Sequence, residues 1–243
     1  MKVIAIIQAR MGSTRLPGKV LRQLGSRTAL SWVIDRVRRF RHVDGLLIAT
    51  TLQSADDAIV KEATRCSTEV FRGDENDVLD RYYRAARGVQ ADAIVRITAD
   101  CPLIDPEVSD YTIQRFLDEQ PDYASNALER TYPRGLDTEV MTFSALERAW
   151  KEASEPYQRA HVTPYLYRNP EKFRLLSVKG EADFSGYRWT LDTPEDAEFL
   201  QEVFARLGGS VDFTWRDVLQ LLEREPALAE KNRHICHKAL SEG

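Results

Sequence analysis

The chain reads as an α/β protein: a Rossmann-like, mainly parallel sheet with helices on both faces, carrying an inserted subdomain. Two observations predict this. Strand-like apolar runs alternate with helix-patterned segments through residues 1–120, the order that builds βαβ units with right-handed crossovers. Several of the strand runs are also nearly continuous in apolar residues, as strands covered on both faces must be.

The elements follow in order. "KVIAIIQA" is β-branched and apolar throughout, a buried strand. "TALSWVIDRVRRF" places Leu30, Val33, Ile34 and Val37 at helical spacing, with Thr28 as the cap. "GLLIATT" is the second strand. "SADDAIVKEATR" is a helix with Ser54 as its cap and acids in its first turn. "TEVFRG" is a short strand, "NDVLDRYYRAARGV" a helix, and "ADAIVRITAD" an apolar strand ending in a carboxylate. Asp105 before Pro106 suits a helix start, with Asp as cap and Pro at the first position. Past Pro121 the alternation loosens. "DYASNA", "DTEVMTF", "FRLLSVKG" and "YRWTLDT" read as strands among the helical "SALERAWKEAS" and "YQRAHVTPYLYRN". "PEDAEFLQEVFARLG" and "TWRDVLQLLERE" close the pattern as helices. No Gly/Ser/Pro linker isolates the middle, so it is expected to lie on the sheet within one domain spanning 1–243.

Composition bounds the function. The 243 residues are 43% hydrophobic and 30% charged, the balance of a globular chain. A net charge of −4 argues against bulk binding to nucleic acid or to a membrane surface. Cys66, Cys101 and Cys236 are odd in number and far apart. That excludes a disulfide framework and zinc spacing, and it points to a reducing compartment. The first apolar run is too short for a signal peptide and no stretch approaches a membrane span, so a cytoplasmic protein is expected.

The chemistry is expected beyond the carboxyl ends of the strands, where open parallel sheets bind ligands. "QARMGSTRLPGK" follows the first strand. It is not a P-loop: five residues separate Gly12 from Gly18, and Val20 follows Lys19 where Ser or Thr is required. Yet Arg10, Ser13, Arg15 and Lys19 supply donors, and Gly12 permits close approach of backbone amides to a phosphate. Asp100, in "TADCPLIDP", ends an apolar strand; it suits a magnesium ligand, and equally a turn cap. Asp192, in "RWTLDTPED", also ends a strand-like run. Thr193 and Pro194 already open the next helix, which frees Asp192 for other work. Two such aspartates and a basic loop are the parts of metal-assisted phosphoryl or nucleotidyl transfer.

"IIQARMGSTRLPGKVL", "VFRGDENDVLDRYYRAA", "IVRITADCPLIDP", "SNALERTYPRGLDTEV", "HVTPY" and "RWTLDTPED" together resemble the SpsF-like cytidylyltransferases of surface-polysaccharide biosynthesis. These are relatives of the CMP-octulosonate and CMP-acylneuraminate synthetases. The resemblance runs in order to about residue 200. It implies a nucleotide-diphospho-sugar transferase fold, a homodimer, and a magnesium-dependent reaction of CTP with a small acceptor to give a CMP-linked product and pyrophosphate. It implies that Arg10, Ser13 and Lys19 meet phosphates, with Arg10 and Lys19 catalytic. The backbone near Ala9 is then expected to read cytosine, and Gly73 to lie near base and ribose. Asp100 and Asp192 match the metal-binding aspartates. The chain thereby divides into a nucleotide-binding part (1–120), an acceptor-side and dimerisation insertion (121–186), and a return strand with the second aspartate and closing helices (187–243).

The resemblance puts the acceptor pocket in the middle segment, with Asn126, Arg134, Asp137, Glu139 and His161 as its candidates. A buried histidine and a simple Gly135 turn are the plainer readings of His161 and "PRGLD". Alternation in "DTEV" places Asp137 and Glu139 on one face. "ADCPLID" departs from the octulosonate and acylneuraminate enzymes, which argues against either sugar as acceptor. That leaves a sugar acid of another kind, or a phosphorylated or phosphonate metabolite. Two other readings stand beside this one: a catalytically inactive nucleotide-binding protein on the same fold, and a P-loop-like kinase or NTPase, disfavoured by the glycine spacing.

Overall fold

The computed structural model describes residues 1–235, so Cys236 lies outside the described residues. The chain opens with β1 (Val3–Gln8). A loop and one 3-10 turn (Lys19–Leu21) lead to a small ribbon of β2 (Gln23–Leu24) and β3 (Arg27–Thr28). Strand and helix then alternate: α1 (Ala29–Val37), β4 (Gly45–Thr51), α2 (Asp57–Arg65), β5 (Glu69–Gly73), α3 (Val78–Gly88), β6 (Ala93–Thr98), α4 (Pro106–Glu119). The second half runs β7 (Tyr123–Ser125), β8 (Glu139–Thr142), α5 (Phe143–Glu152), α6 (Pro156–His161), α7 (Pro164–Tyr167), β9 (Leu175–Ser177), α8 (Pro194–Arg206), α9 (Trp215–Arg224), α10 (Pro226–Glu230).

One seven-stranded sheet has the order β5-β4-β1-β6-β8-β7-β9. The pairs β1–β4, β1–β6, β4–β5 and β7–β9 are parallel, and only β8 runs against its neighbours. The middle segment therefore does not lie on the sheet as a separate layer. Its three strands complete the sheet, with Val140 and Met141 of β8 set against Val95 and Ile94 of β6. Alternation sorts the sheet's side chains. Val3, Ala5 and Ile7 of β1 face α1, α2 and α4, while Ile4 and Ile6 face α3 and α5. Each such valine or isoleucine side chain contributes about 1.5–3 kcal/mol on full burial. A third cluster joins Trp32 and Trp189 to α8 and α9, so the carboxyl-terminal helices share a core with α1.

Local signals account for the helix starts. Thr28 accepts from the Ser31 amide at 3.1 Å, Asp105 accepts from Glu107 and Val108, and Thr193 forms a capping box with Asp196. Three expectations need correction. Ser54 does not cap α2; it opens a 3-10 turn (Ser54–Asp56) that precedes the helix. "YQRAHVTPYLYRN" is two short helices, broken where Val162 takes φ 72° and Pro164 lacks an amide donor. "YRWTLDT" is not a ladder strand. It makes one bridge, Arg134 to Arg188, and its amides find partners singly: Trp189 to Arg134 at 2.7 Å and Leu191 to Asp100 at 2.7 Å.

Candidate active site

The loop after β1 is pinned rather than free. The Met11 carbonyl accepts from the Ser13 and Gly18 amides, and the Met11 amide donates to Asp56 at 2.8 Å. Asp56 is buried and also accepts from Thr50 and Thr51. Burial works against its charge, yet those donors hold its carboxyl below the usual range. Ser13 Oγ accepts from the Leu16 amide, so this hydroxyl shapes the turn. Among the loop glycines it is Gly18, at φ 67°, that needs the left-handed region; Gly12 lies against Glu75 instead. The loop ends in a 3-10 turn, not in a helix that would present its amino end to a phosphate, so the P-loop reading falls.

The turn delivers Lys19 to both strand-end aspartates. Its Nζ stands 2.5 Å from Asp100 Oδ2 and 2.7 Å from Asp192 Oδ1, with 14% of the side chain exposed. Arg15 approaches the same Asp192 oxygen at 3.2 Å. Asp192 reaches Asp100 because the Leu191 amide and Thr190 hydroxyl both donate to the Asp100 carbonyl. Burial alone would raise the Asp100 carboxyl, but the Lys19 ammonium, aided by Thr98, holds it at about 2. Burial likewise disfavours the Lys19 charge, and the two carboxylates outweigh it, raising the lysine above its ordinary value.

Sequence reasoning missed the support behind Asp192. Its second oxygen accepts from Arg188 Nη2 at 3.0 Å. Arg188 is clamped in turn by Asp196, with Nε and Nη2 each at 2.9 Å. Asp196 is fully buried and also accepts from the Asp192 and Thr193 amides and from Asn232 Nδ2. The i,i+4 spacing of Arg188, Asp192 and Asp196 was the available signal. Asn232 shows that the carboxyl-terminal segment braces this network.

The acceptor candidates divide. Asp137 takes Arg130 in a bidentate pair at 2.5 and 2.7 Å. Asp137 and Glu139 do not share a strand face, because β8 begins at Glu139 and Asp137 lies in the preceding loop. Glu139 instead pairs with Arg96 and accepts from Tyr123 Oη at 2.6 Å. Asn126 is buried with both amide ends engaged, to the Leu136 carbonyl at 2.8 Å and from the Thr138 amide at 2.9 Å. It therefore holds the 136–138 loop. His161 ends α6 and is half-buried. Arg134 is bonded to the 187–189 segment through its backbone. Burial, then the neighbouring Arg130 charge, lowers its pKa, with Arg188 adding to this and Asp137 opposing it. Burial pushes the Cys101 thiol up, and Asp100, Asp137 and Asp192 push it further. That shared influence joins the Arg130, Arg134 and Asp137 group to the aspartate pair, and it favours the protonated, weakly nucleophilic thiol. Arg10 and Gly73 lie towards β5: Arg10 is 4.0 Å from Glu75, and Gly73 ends the strand against Arg81. Ala9, buried at the end of β1, is tied to Ala49.

Two carboxylate oxygens that converge on one cation fit magnesium, which takes one or two carboxylates and completes its shell with water and substrate phosphate. Among the described residues no group of three or more His, Cys, Asp or Glu side chains is placed to hold a metal by itself. No helix among them is long and apolar enough to cross a membrane.

A basic loop and paired aspartates gathered at the strand ends of a mainly parallel sheet define a nucleotidyltransferase of the nucleotide-diphospho-sugar transferase fold. The chain belongs to the cytidylyltransferase family, whose model matches residues 4–232. It is 36% identical to the Bacillus subtilis spore coat polysaccharide biosynthesis protein SpsF, over 93% of this chain and 96% of that one. It is 38% identical to an uncharacterized protein of Methanocaldococcus jannaschii, over 100% and 99% of the two chains. A solved cytidylyltransferase from Leptospira borgpetersenii superposes with a TM-score of 0.92 at 38% identity, covering 98% of this chain and all of that one.

Proposed function

We propose that this enzyme transfers CMP from CTP to a small anionic acceptor, with magnesium held by Asp100 and Asp192. The observation that carries the reading is Lys19 seated between the two aspartates beside Arg15, at the carboxyl ends of β1 and β6. The acceptor oxygen attacks the α-phosphorus of CTP in line with the departing group. The phosphorus–oxygen bond to the β-phosphate breaks, and pyrophosphate leaves with that electron pair. Magnesium supplies charge neutralisation on the phosphate oxygens. Lys19 and Arg15 bind the triphosphate and stabilise charge on the leaving pyrophosphate. Arg188 keeps Asp192 oriented. An acceptor carboxylate or phosphate arrives ionised, so it needs a cation to place it and no base to deprotonate it. Arg134 suits this role because a guanidinium binds such groups in a bidentate way. The likeness to SpsF supports an acceptor destined for surface polysaccharide.

The test is pyrophosphate release from CTP across a panel of carboxylated, phosphorylated and phosphonate acceptors. Activity with one member, lost in both Asp100→Asn and Asp192→Asn folded variants, is the expected result. Wild-type turnover in either variant removes that residue from the site.

A further inference from the structure

Lys19 gives one ammonium to two carboxylates, and the carboxylates depend on it unequally. Asp192 has other cations: Arg188 on Oδ2 at 3.0 Å, and Arg15 on Oδ1 at 3.2 Å beside Lys19. Asp100 has the uncharged Cys101 thiol 3.6 Å from Oδ1, and Lys19 on Oδ2. Among the described residues Lys19 is thus the cation paired with Asp100.

Charge balance governs what this cluster admits. Asp100, Asp192 and Asp196 face Lys19, Arg15 and Arg188, three carboxylates against three cations. The Lys19, Asp100 and Asp192 side chains are only 14%, 23% and 12% exposed. A divalent ion arriving alone must shed water, part the ammonium from both carboxylates and leave a largely buried place with excess positive charge. A triphosphate reverses that balance. Its negative oxygens receive the cations of Lys19 and Arg15, and they also complete a magnesium shell. Lys19 can make the exchange without moving its backbone. Its amide donates to the Leu16 carbonyl, and the preceding Gly18 is tied to the Met11 carbonyl, while the four-carbon stem remains free to swing.

We propose that Lys19 is the counter-ion of the aspartate pair until a nucleoside triphosphate arrives, so that the enzyme takes magnesium together with CTP and not before it. This rests on the reading of Asp100 and Asp192 as metal ligands and deepens it. Lys19 then has two successive partners, the carboxylates first and the triphosphate afterwards. CMP lacks the β- and γ-phosphates that receive the ammonium, so it does not free the pair. The coupling is reciprocal: the triphosphate strengthens metal binding by the same factor as the metal strengthens triphosphate binding.

Manganous ion is the probe, because electron paramagnetic resonance counts its free fraction directly with no nucleotide present. It is titrated into wild type, Lys19→Met, Lys19→Gln, Asp100→Asn and the double variant Lys19→Met with Asp100→Asn. Thermal unfolding with and without magnesium monitors each fold. Both Lys19 variants should bind one manganous ion about tenfold or more tighter than the wild type, and the double variant should lose that gain. Magnesium should raise the melting temperature of both Lys19 variants and leave the wild type level, since a ligand of the native state stabilises it by mass action. Removing a lysine that merely held the loop would leave metal affinity level or lower. Wild-type affinity within about twofold of the Lys19 variants overturns the inference, as does a gain that survives Asp100→Asn. The wild type is a test on its own should either Lys19 variant unfold: micromolar manganous ion bound without nucleotide, and lost in Asp100→Asn, overturns the inference alone. The metal reading itself falls if, with CTP present, folded Asp100→Asn and Asp192→Asn bind the ion as the wild type does.

Discussion

Replacing Lys19 with Met removes the cation from between Asp100 and Asp192, and the structure sets the size of the effect. The two carboxylate oxygens lie 2.5 and 2.7 Å from one nitrogen, so they are within about 5 Å of each other. At an effective dielectric of about 20 their unscreened repulsion is about 3 kcal/mol. The Asp100 shift gives an independent measure. A fall from 3.8 to about 2 corresponds to about 2 kcal/mol of native-state stabilisation. Arg15 and Arg188 remain on Asp192, so Asp100 bears most of the loss. At neutral pH the variant should lose about 2–3 kcal/mol, or about 4–12 °C in melting temperature for a domain of this size. The pH dependence follows from the signs. A depressed Asp pKa stabilises the wild type above the unfolded value, and this is lost only as pH falls towards about 2. In the variant Asp100 is raised, so acid relieves the repulsion early. The gap in melting temperature should therefore be widest at pH 7–8 and narrow towards pH 4. Thermal unfolding of both proteins across that range is the assay. Equal melting temperatures at neutral pH, or a deficit that does not narrow in acid, would refute the reasoning.

Asp196→Ala should cost about 3–5 kcal/mol, because it takes the bidentate partner from the buried Arg188, leaving it Asp192, and removes the α8 capping box; chemical denaturation measures it, and a loss under about 1 kcal/mol contradicts the network. Gly135→Ala should fold poorly, since φ is 109° and the new Cβ would meet the Trp189 backbone at 2.7 Å; a soluble variant with wild-type stability rejects that account. Arg134→Ala should leave CTP affinity nearly unchanged and raise the acceptor KM or lower kcat, read by calorimetry and steady-state kinetics. Loss of CTP binding in an intact fold would move Arg134 to the triphosphate.

The sequence by itself determined the α/β class, the strand–helix order to α4 apart from the β2–β3 ribbon, and three helix starts. These rest on short-range physics: apolar periodicity, and caps at Thr28, Asp105 and Thr193 that need only neighbouring amides. It also marked Lys19, Asp100 and Asp192: Lys19 in the basic loop that follows β1, Asp100 because a carboxylate directly after a buried strand reaches the carboxyl edge of a parallel sheet, and Asp192 from a run that resembled a strand. Only the tertiary structure decided what those charges do to one another. Lys19 and Asp192 are 173 positions apart, and no local pattern announces that one ammonium serves two carboxylates. The same holds for Arg130 with Asp137, Arg96 with Glu139, and Asn232 behind Asp196, since each pairing depends on which loops the sheet order brings together. "YRWTLDT" shows the limit most plainly. Its composition is that of a strand, but a strand exists only where a neighbour offers a ladder, and here the neighbours are single groups on Arg134 and Asp100.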